Sequence, residues 1–172
     1  MSNQKRAIPK GERWAPMILD TMEQPAWGAL STTAQALYPW LKLEWRGPKA
    51  NNNGNIQLSV RQAAQRLGVT RDTAAEAFRD LQRKGFIVQT AQAVLGIEGA
   101  AKSACYEITE IKMPASEKDG RKLYRDWQPG NDFPCQRTGA NNPSGRNGRK
   151  KPCHVFRDVP VLKTVTNSGA LS

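Results

Sequence analysis

Arg61, Arg71, Thr73, Glu76 and Arg79 crowd into one short stretch of this chain, and their chemistry suits a patterned, polyanionic ligand. A guanidinium fork can donate two parallel bonds to guanine O6 and N7, or grip a phosphate. Thr70 and Thr73 add hydroxyls that donate or accept, and Asp72 adds an acceptor. Glu76 has two readings: it could accept from cytosine N4, or hold Arg79 in place. Arg61 could reach a backbone phosphate flanking the same site. Phosphate contacts would position the chain, and base-edge contacts would give it preference.

Such groups work only if an element holds them. Residues 59–87 read SVRQAAQRLGVTRDTAAEAFRDLQRKGFI. Val60, Ala63, Ala64 and Leu67 fall at helical spacing; Gly68-Val69-Thr70 interrupts them; Ala74, Ala77, Phe78 and Leu81 repeat the period. Ser59 and Thr70 are suitable N-caps, and Gly85 suits the left-handed stop of the second helix. Two short helices around a three-residue turn with glycine predict a helix-turn-helix, whose second helix enters the DNA major groove N-terminus first. That helix is expected from about Arg71 to Lys84. Its apolar face is inward, and Arg71, Asp72, Ala75, Glu76 and Arg79 point outward. The helix N-terminus also favours a phosphate. Gln62, Gln65 and Arg66 on the first helix are phosphate candidates or its solvated face. Two amphipathic helices around a glycine also occur in enzymes and scaffolds. The polar Arg71-Asp72-Thr73 after the turn, the β-rich run after Gly85 and the net charge of +11 favour DNA.

The flanking sequence completes a domain. Ser31 caps a helix carrying Ala34, Leu37, Tyr38 and Leu41 on one face, although Pro39 predicts a kink there or two short helices. Trp40 and Trp45 are read as core or lid residues. RGPKANNNGN, residues 46–55, is a plain loop. Ile56 and Leu58 make a short strand. Phe86-Ile87-Val88 make a second, and Tyr106, Ile108 and Ile111 in CYEITEI a third, joined by a long loop whose tip carries Lys102 and Ser103. Lys102 is the sole positive charge of that loop. Helix, strand, two helices and a hairpin is the order of a winged helix, so the expected fold class is α+β. The expected division is a flexible arm over 1–24, the winged helix over 25–112 and a basic, largely disordered tail over 113–172. Within the tail, Leu123, Tyr124 and Trp127 can form one amphipathic turn docked on the domain.

The same residues resemble known families. The stretch from Ser59 to Ile87 is similar to the helix-turn-helix of GntR-type winged-helix regulators, with their Ser-x-Arg start, Leu-Gly-Val-Ser/Thr-Arg turn and closing Gly-Phe-Ile. That resemblance implies DNA contacts by Arg61, Arg71, Thr73 and a residue at the wing tip. PAWGALSTTAQALY, NNNGNIQLSVRQAA and KSACYEIT resemble a family of small helix-turn-helix proteins of alphaproteobacteria and their mobile elements. This resemblance covers about residues 25–111 and implies DNA binding. Those proteins often show a late AT-x-WRLT; here Ala104-Cys105-Tyr106-Glu107-Ile108-Thr109 replaces it, so no wing arginine carries over. GntR regulators have a large C-terminal effector domain, which about 60 polar residues cannot build.

Composition bounds the rest. The chain has 172 residues, 38% of them hydrophobic, and a mean hydropathy of −0.65, which suits one domain plus unfolded segments. Residues 1–112 carry net +5 and residues 113–172 net +6 on about half the length. A polyanionic partner, double-stranded DNA, is expected. Arg146, Arg149, Lys150 and Lys151 lack the compact Arg-Gly-Arg-Pro core of a minor-groove hook. A nonspecific phosphate-binding tail is their reading, with a protein partner for the tail left open. No apolar run approaches the roughly 18 residues of a membrane span, and the N-terminus lacks the apolar core of a secretory signal. Three unpaired-looking cysteines point to reduced thiols in a cytoplasm, in association with the nucleoid.

No enzyme and no cofactor are expected: the single histidine is His154, and phosphate-loop, Gly-x-Ser-x-Gly and His-x-His motifs are absent. Adjacent Cys153 and His154 cannot easily share one tetrahedral zinc with Cys135, so no metal is expected. Three roles stand open: a transcriptional regulator of a bacterium or mobile element, an origin-binding replication or maintenance protein of a plasmid or phage, and a protein-binding adaptor. A homodimer is left open too, although no heptad or extra helix pair offers an interface.

Overall fold

Five α-helices and three short strands account for the described chain, residues 13–93 and 102–135 of the computed structural model. All of these residues belong to one compact unit, Met1–Thr138. The order is α1 (Leu19–Met22), α2 (Pro25–Gly28), α3 (Thr32–Glu44), β1 (Ile56–Gln57), α4 (Val60–Leu67), α5 (Arg71–Arg83), β2 (Ile87–Ala91) and β3 (Cys105–Ile108), with 3-10 turns at Pro48–Ala50 and Leu123–Arg125. The strands form one antiparallel sheet in the order β1-β3-β2. The result is a small mixed α+β domain.

The core forms where the apolar periods predict it. Ala34, Leu37, Tyr38 and Leu41 of α3 meet Ala74, Ala77, Phe78 and Leu81 of α5, all buried. Phe86, just past α5, is the centre of an aromatic cluster. Trp27 and Tyr38 meet it edge-on at 5.6 and 5.4 Å, and Tyr124 stacks on it at 4.9 Å. Edge-on and offset rings satisfy the aromatic quadrupole and add roughly 0.5–1.5 kcal/mol per pair beyond burial. Phe78 stacks on Tyr106 at 5.1 Å, fixing α5 against β3.

Three expectations need correction. First, α3 runs unbroken through Pro39, so two separate helices do not form. Proline costs a helix interior about 3 kcal/mol. Here buried residues on both sides of it, Ala34 to Tyr38 and Leu41 to Lys42, hold the axis against α5. Second, residues 46–55 are more than a plain loop. Asn51 accepts from Trp45 Nε1 at 2.9 Å and donates to the Lys112 carbonyl at 2.9 Å; Asn52 donates to the Glu44 carbonyl at 3.1 Å and accepts from the Arg46 N–H at 2.9 Å. Asn53 is buried; it accepts from the Ile108 N–H at 2.8 Å and donates to the carbonyls of Ile108 and Ile111. A side-chain amide offers both donor and acceptor, so three in a row clasp the end of α3 to β3.

Third, packing does not end at residues 24 and 112. Thr21 is buried and hydrogen-bonds Tyr124 Oη at 3.2 Å, and Asp20 pairs with Arg125 at 2.6 Å. The amphipathic turn expected at Leu123, Tyr124 and Trp127 is present as Leu123–Arg125, with Tyr124 and Trp127 in the core. The Phe133 N–H then donates to the Arg83 carbonyl at 2.9 Å. Sequence between residues 113 and 135 looked aperiodic because it is a strap that contributes isolated anchors.

One ion pair is buried. Lys42 Nζ lies 3.0 Å from Glu110, their side chains only 3% and 4% exposed, and Tyr38 Oη donates to Glu110 at 2.7 Å. Burial first, and then the Glu110 charge, push the Tyr38 hydroxyl well above its ordinary value, so it stays a donor. Every lone partner in such a group would be costly, so the three residues are satisfied together. Among the described residues no helix is long and apolar enough to cross a membrane.

Candidate nucleic-acid interface

The α4–turn–α5 unit is held open at one end by its caps. Ser59 Oγ accepts from the Gln62 N–H at 3.2 Å, and the Gln62 side chain accepts from the Ser59 N–H at 3.1 Å, a complete capping box. Gly68 ends α4 in the left-handed conformation at φ 67°, where a side chain would be strained. Thr70 then caps α5: its Oγ1 accepts from the Thr73 N–H at 3.2 Å, and the two hydroxyls lie 2.8 Å apart. The far end of α5 closes with the Phe86 N–H on the Leu81 carbonyl and the Gly85 N–H on the Gln82 carbonyl, with Gly85 at φ 77°. This is the Schellman pattern.

The side chains predicted to face a ligand divide into two groups. Arg61, Thr70, Arg71, Asp72 and Thr73 are exposed. Neither Arg61 nor Arg71 has an ion-pair or hydrogen-bond partner among the described residues. The Asp72 carboxylate lies in the first turn of α5, where the helix dipole alone would favour it.

Glu76 and Arg79 belong to the second group. Arg79 donates to one Glu76 oxygen, and Arg83 donates to the other at 2.7 Å. The bond from Arg83, and then that from Arg79, hold the Glu76 carboxyl below its ordinary value; the same bond raises Arg83 above its own. Of the two readings of Glu76, the geometry has it anchoring Arg79. Sequence inspection missed Arg83, although the spacing i, i+3, i+7 puts all three groups on one face.

On α4, Gln62 is used by the capping box, while Arg66 pairs with Glu44 at 2.8 Å and lies 5.1 Å over the Trp40 ring. Both are committed within the fold; Gln65 is exposed. Lys84 is committed as well, to Asp132 at 2.6 Å and to the Trp127 ring at 4.5 Å. Its bond to Asp132, the largest influence there, holds that carboxyl below its ordinary value.

The hairpin register relocates Lys102 and Ser103. Cys105 is opposite Ala91, past an irregularity between Gln89 and Ala91. Lys102 is itself paired in a β-bridge, so it and Ser103 stand at the foot of the loop rather than at its tip. Lys102 is exposed and Ser103 half-buried. The tip itself, residues 94–101, lies outside the described residues. So do Arg149, Lys150 and Lys151, and also Arg146, Cys153 and His154. Cys105 is a buried thiol that accepts from Gln57 Nε2 at 3.4 Å. Among the described residues no cluster of His, Cys, Asp and Glu could hold a metal ion.

Two guanidiniums, Arg61 at the start of α4 and Arg71 at the start of α5, thus have no partner among the described residues, and the exposed Thr70 and Thr73 flank Arg71 in sequence. Comparison with protein-family models, curated proteins and solved structures finds no match to this chain.

Proposed function

We propose that this chain is a sequence-specific double-stranded DNA-binding protein of winged-helix type. It acts in transcription as a regulator of a bacterium or mobile element, by occupying its site. The start of α5 enters the major groove, with Arg71 and Thr73 at base edges or flanking phosphates. Arg61 holds the backbone beside the groove, and Lys102 at the foot of the hairpin adds a phosphate contact.

One observation carries this reading. Arg61 and Arg71 are exposed and without partners among the described residues, whereas Arg66, Arg79, Arg83 and Lys84 on the same two helices are engaged. Leaving a guanidinium free costs a fold nothing, but a ligand of phosphates and guanine edges would use it. The mixed α+β order and the net charge of +11 support the reading as well.

Selection of bound duplexes from a random DNA pool tests it. A recurring motif is expected, with affinity falling steeply as salt rises. Recovery of sequences indistinguishable from the starting pool would remove sequence-specific binding; no retention at low salt would remove DNA binding altogether.

A further inference from the structure

Away from α4 and α5, two unusual features adjoin one another. All the large apolar side chains that stand exposed among the described residues, Trp14, Ile18, Leu19 and Met22, fall in one short segment ending in α1. Leu19 is 69% exposed. Beside the segment runs a groove of about 690 Å³, with Ile18, Trp45, Ile111 and Met113 among its walls and the Lys42–Glu110 pair among its lining. Contiguous exposed apolar surface of this kind marks an interaction site.

Charge identifies the occupant. Lys49 and Lys112 line the groove, and neither ammonium has a partner among the described residues. On α1, Asp20 is taken by Arg125, but the Glu23 carboxylate next to Met22 is exposed and without a partner among the described residues. The α1 end of the segment is thus apolar with one spare negative charge, Arg13 at the other end donating to the Leu43 carbonyl, and the groove is apolar with two spare positive charges. The two surfaces complement each other and lie side by side, which is the arrangement a two-fold contact requires: the same patch used by both copies.

We infer that this chain forms a homodimer in which α1 of each copy lies in the groove of the other, with Leu19 and Met22 on the apolar walls and Glu23 facing Lys49 and Lys112. This contact is independent of the DNA reading, and it would supply the second half-site reader that two helices of one copy lack.

Sedimentation of the full chain without DNA tests the inference. Twice the chain mass is expected at micromolar concentration. Leu19→Asp with Met22→Asp should return single chains with an unchanged circular dichroism spectrum, because both side chains are outside the core. The loss in association should be at least about tenfold. Lys49→Glu with Lys112→Glu should also weaken the dimer, and adding Glu23→Lys should restore it. A wild-type chain that sediments singly throughout overturns the inference; this outcome includes an intramolecular cover by residues 1–12. A dimer unchanged by either double substitution overturns it too. No DNA is present, so failure here leaves the selection experiment above untouched.

Discussion

The two ends of α5 carry similar charge and use it differently. At the start, Arg71, like Arg61 of α4, has no partner among the described residues, and the Thr70 hydroxyl caps the backbone by accepting from the Thr73 N–H. At the end, Arg79 and Arg83 share Glu76, while Lys84 is held by Asp132 and Trp127. A count of basic residues treats both ends alike. The contrast shows that the charge available to a ligand is what remains after the fold has taken its share. It also shows what the strap after β3 adds: residues 123–133 pack on the end of α5 and engage Lys84, while Arg79 and Arg83 are held within the helix by Glu76.

The comparison can be broken most severely at Gly85. A Cβ there would lie 2.8 Å from Phe133 and 2.9 Å from the backbone of Leu123 and Tyr124, at a φ of 77°. Gly85→Ala should therefore lose about 2–5 kcal/mol of stability, from the left-handed strain and the forced shift of the strap. Urea unfolding measures this. A loss under about 1 kcal/mol would mean that the strap is not part of the folding unit.

A smaller effect separates the ends by function. Arg71→Ala should weaken binding to the selected site by about 1–3 kcal/mol and relax preference at one position. Stability should change by no more than about 0.5 kcal/mol. Arg83→Ala should leave site preference as it was. A competition binding assay with both variants decides the matter, and equal effects would erase the distinction between the ends. If Arg71→Ala weakens specific and nonspecific binding together, the residue holds a phosphate only.

Glu76→Gln sharpens the contrast from the other side. Freeing Arg79 and Arg83 should strengthen nonspecific DNA binding and steepen its salt dependence by up to about 0.9 per new phosphate contact. The cost in stability should stay under about 1 kcal/mol, because these pairs are solvated.

The smallest effect is on pH dependence. Glu76 is held below its ordinary 4.5, mainly by Arg83 and then by Arg79. A lowered folded-state value means that the contribution is present above 4.5 and is lost as pH falls through the folded value. The wild type and Glu76→Gln should therefore differ at neutral pH and converge in acid. A difference that persists unchanged into acid would show that the carboxylate is not the source.

Much of the domain was legible along the chain. The periods of α4 and α5, the caps at Ser59 and Thr70 and the stop at Gly85 all appear as expected, because each depends on residues within one or two helical turns. The two strands after α5 and the docked turn at Tyr124 were readable from apolar residues, although β3 ends at Ile108 and does not reach Ile111 as expected. The exposure of Arg71, Asp72 and Glu76 followed from the phase of α5, since burying Ala74, Ala77 and Phe78 turns them outward.

Sequence alone therefore determined the local elements and the candidate face, because backbone preferences and helical phase are short-range. Only the tertiary structure decided which charges remain free. Arg66 meets its carboxylate 22 residues away, Lys84 meets Asp132 48 residues away, and Lys42 meets Glu110 68 residues away. The same holds for Asn53 and its carbonyl partners on the β3 side, for α3 continuing through Pro39, and for the groove beside α1. Each depends on groups that pattern cannot pair, since Coulomb attraction and hydrogen bonding act on distance in space and folding alone sets that distance.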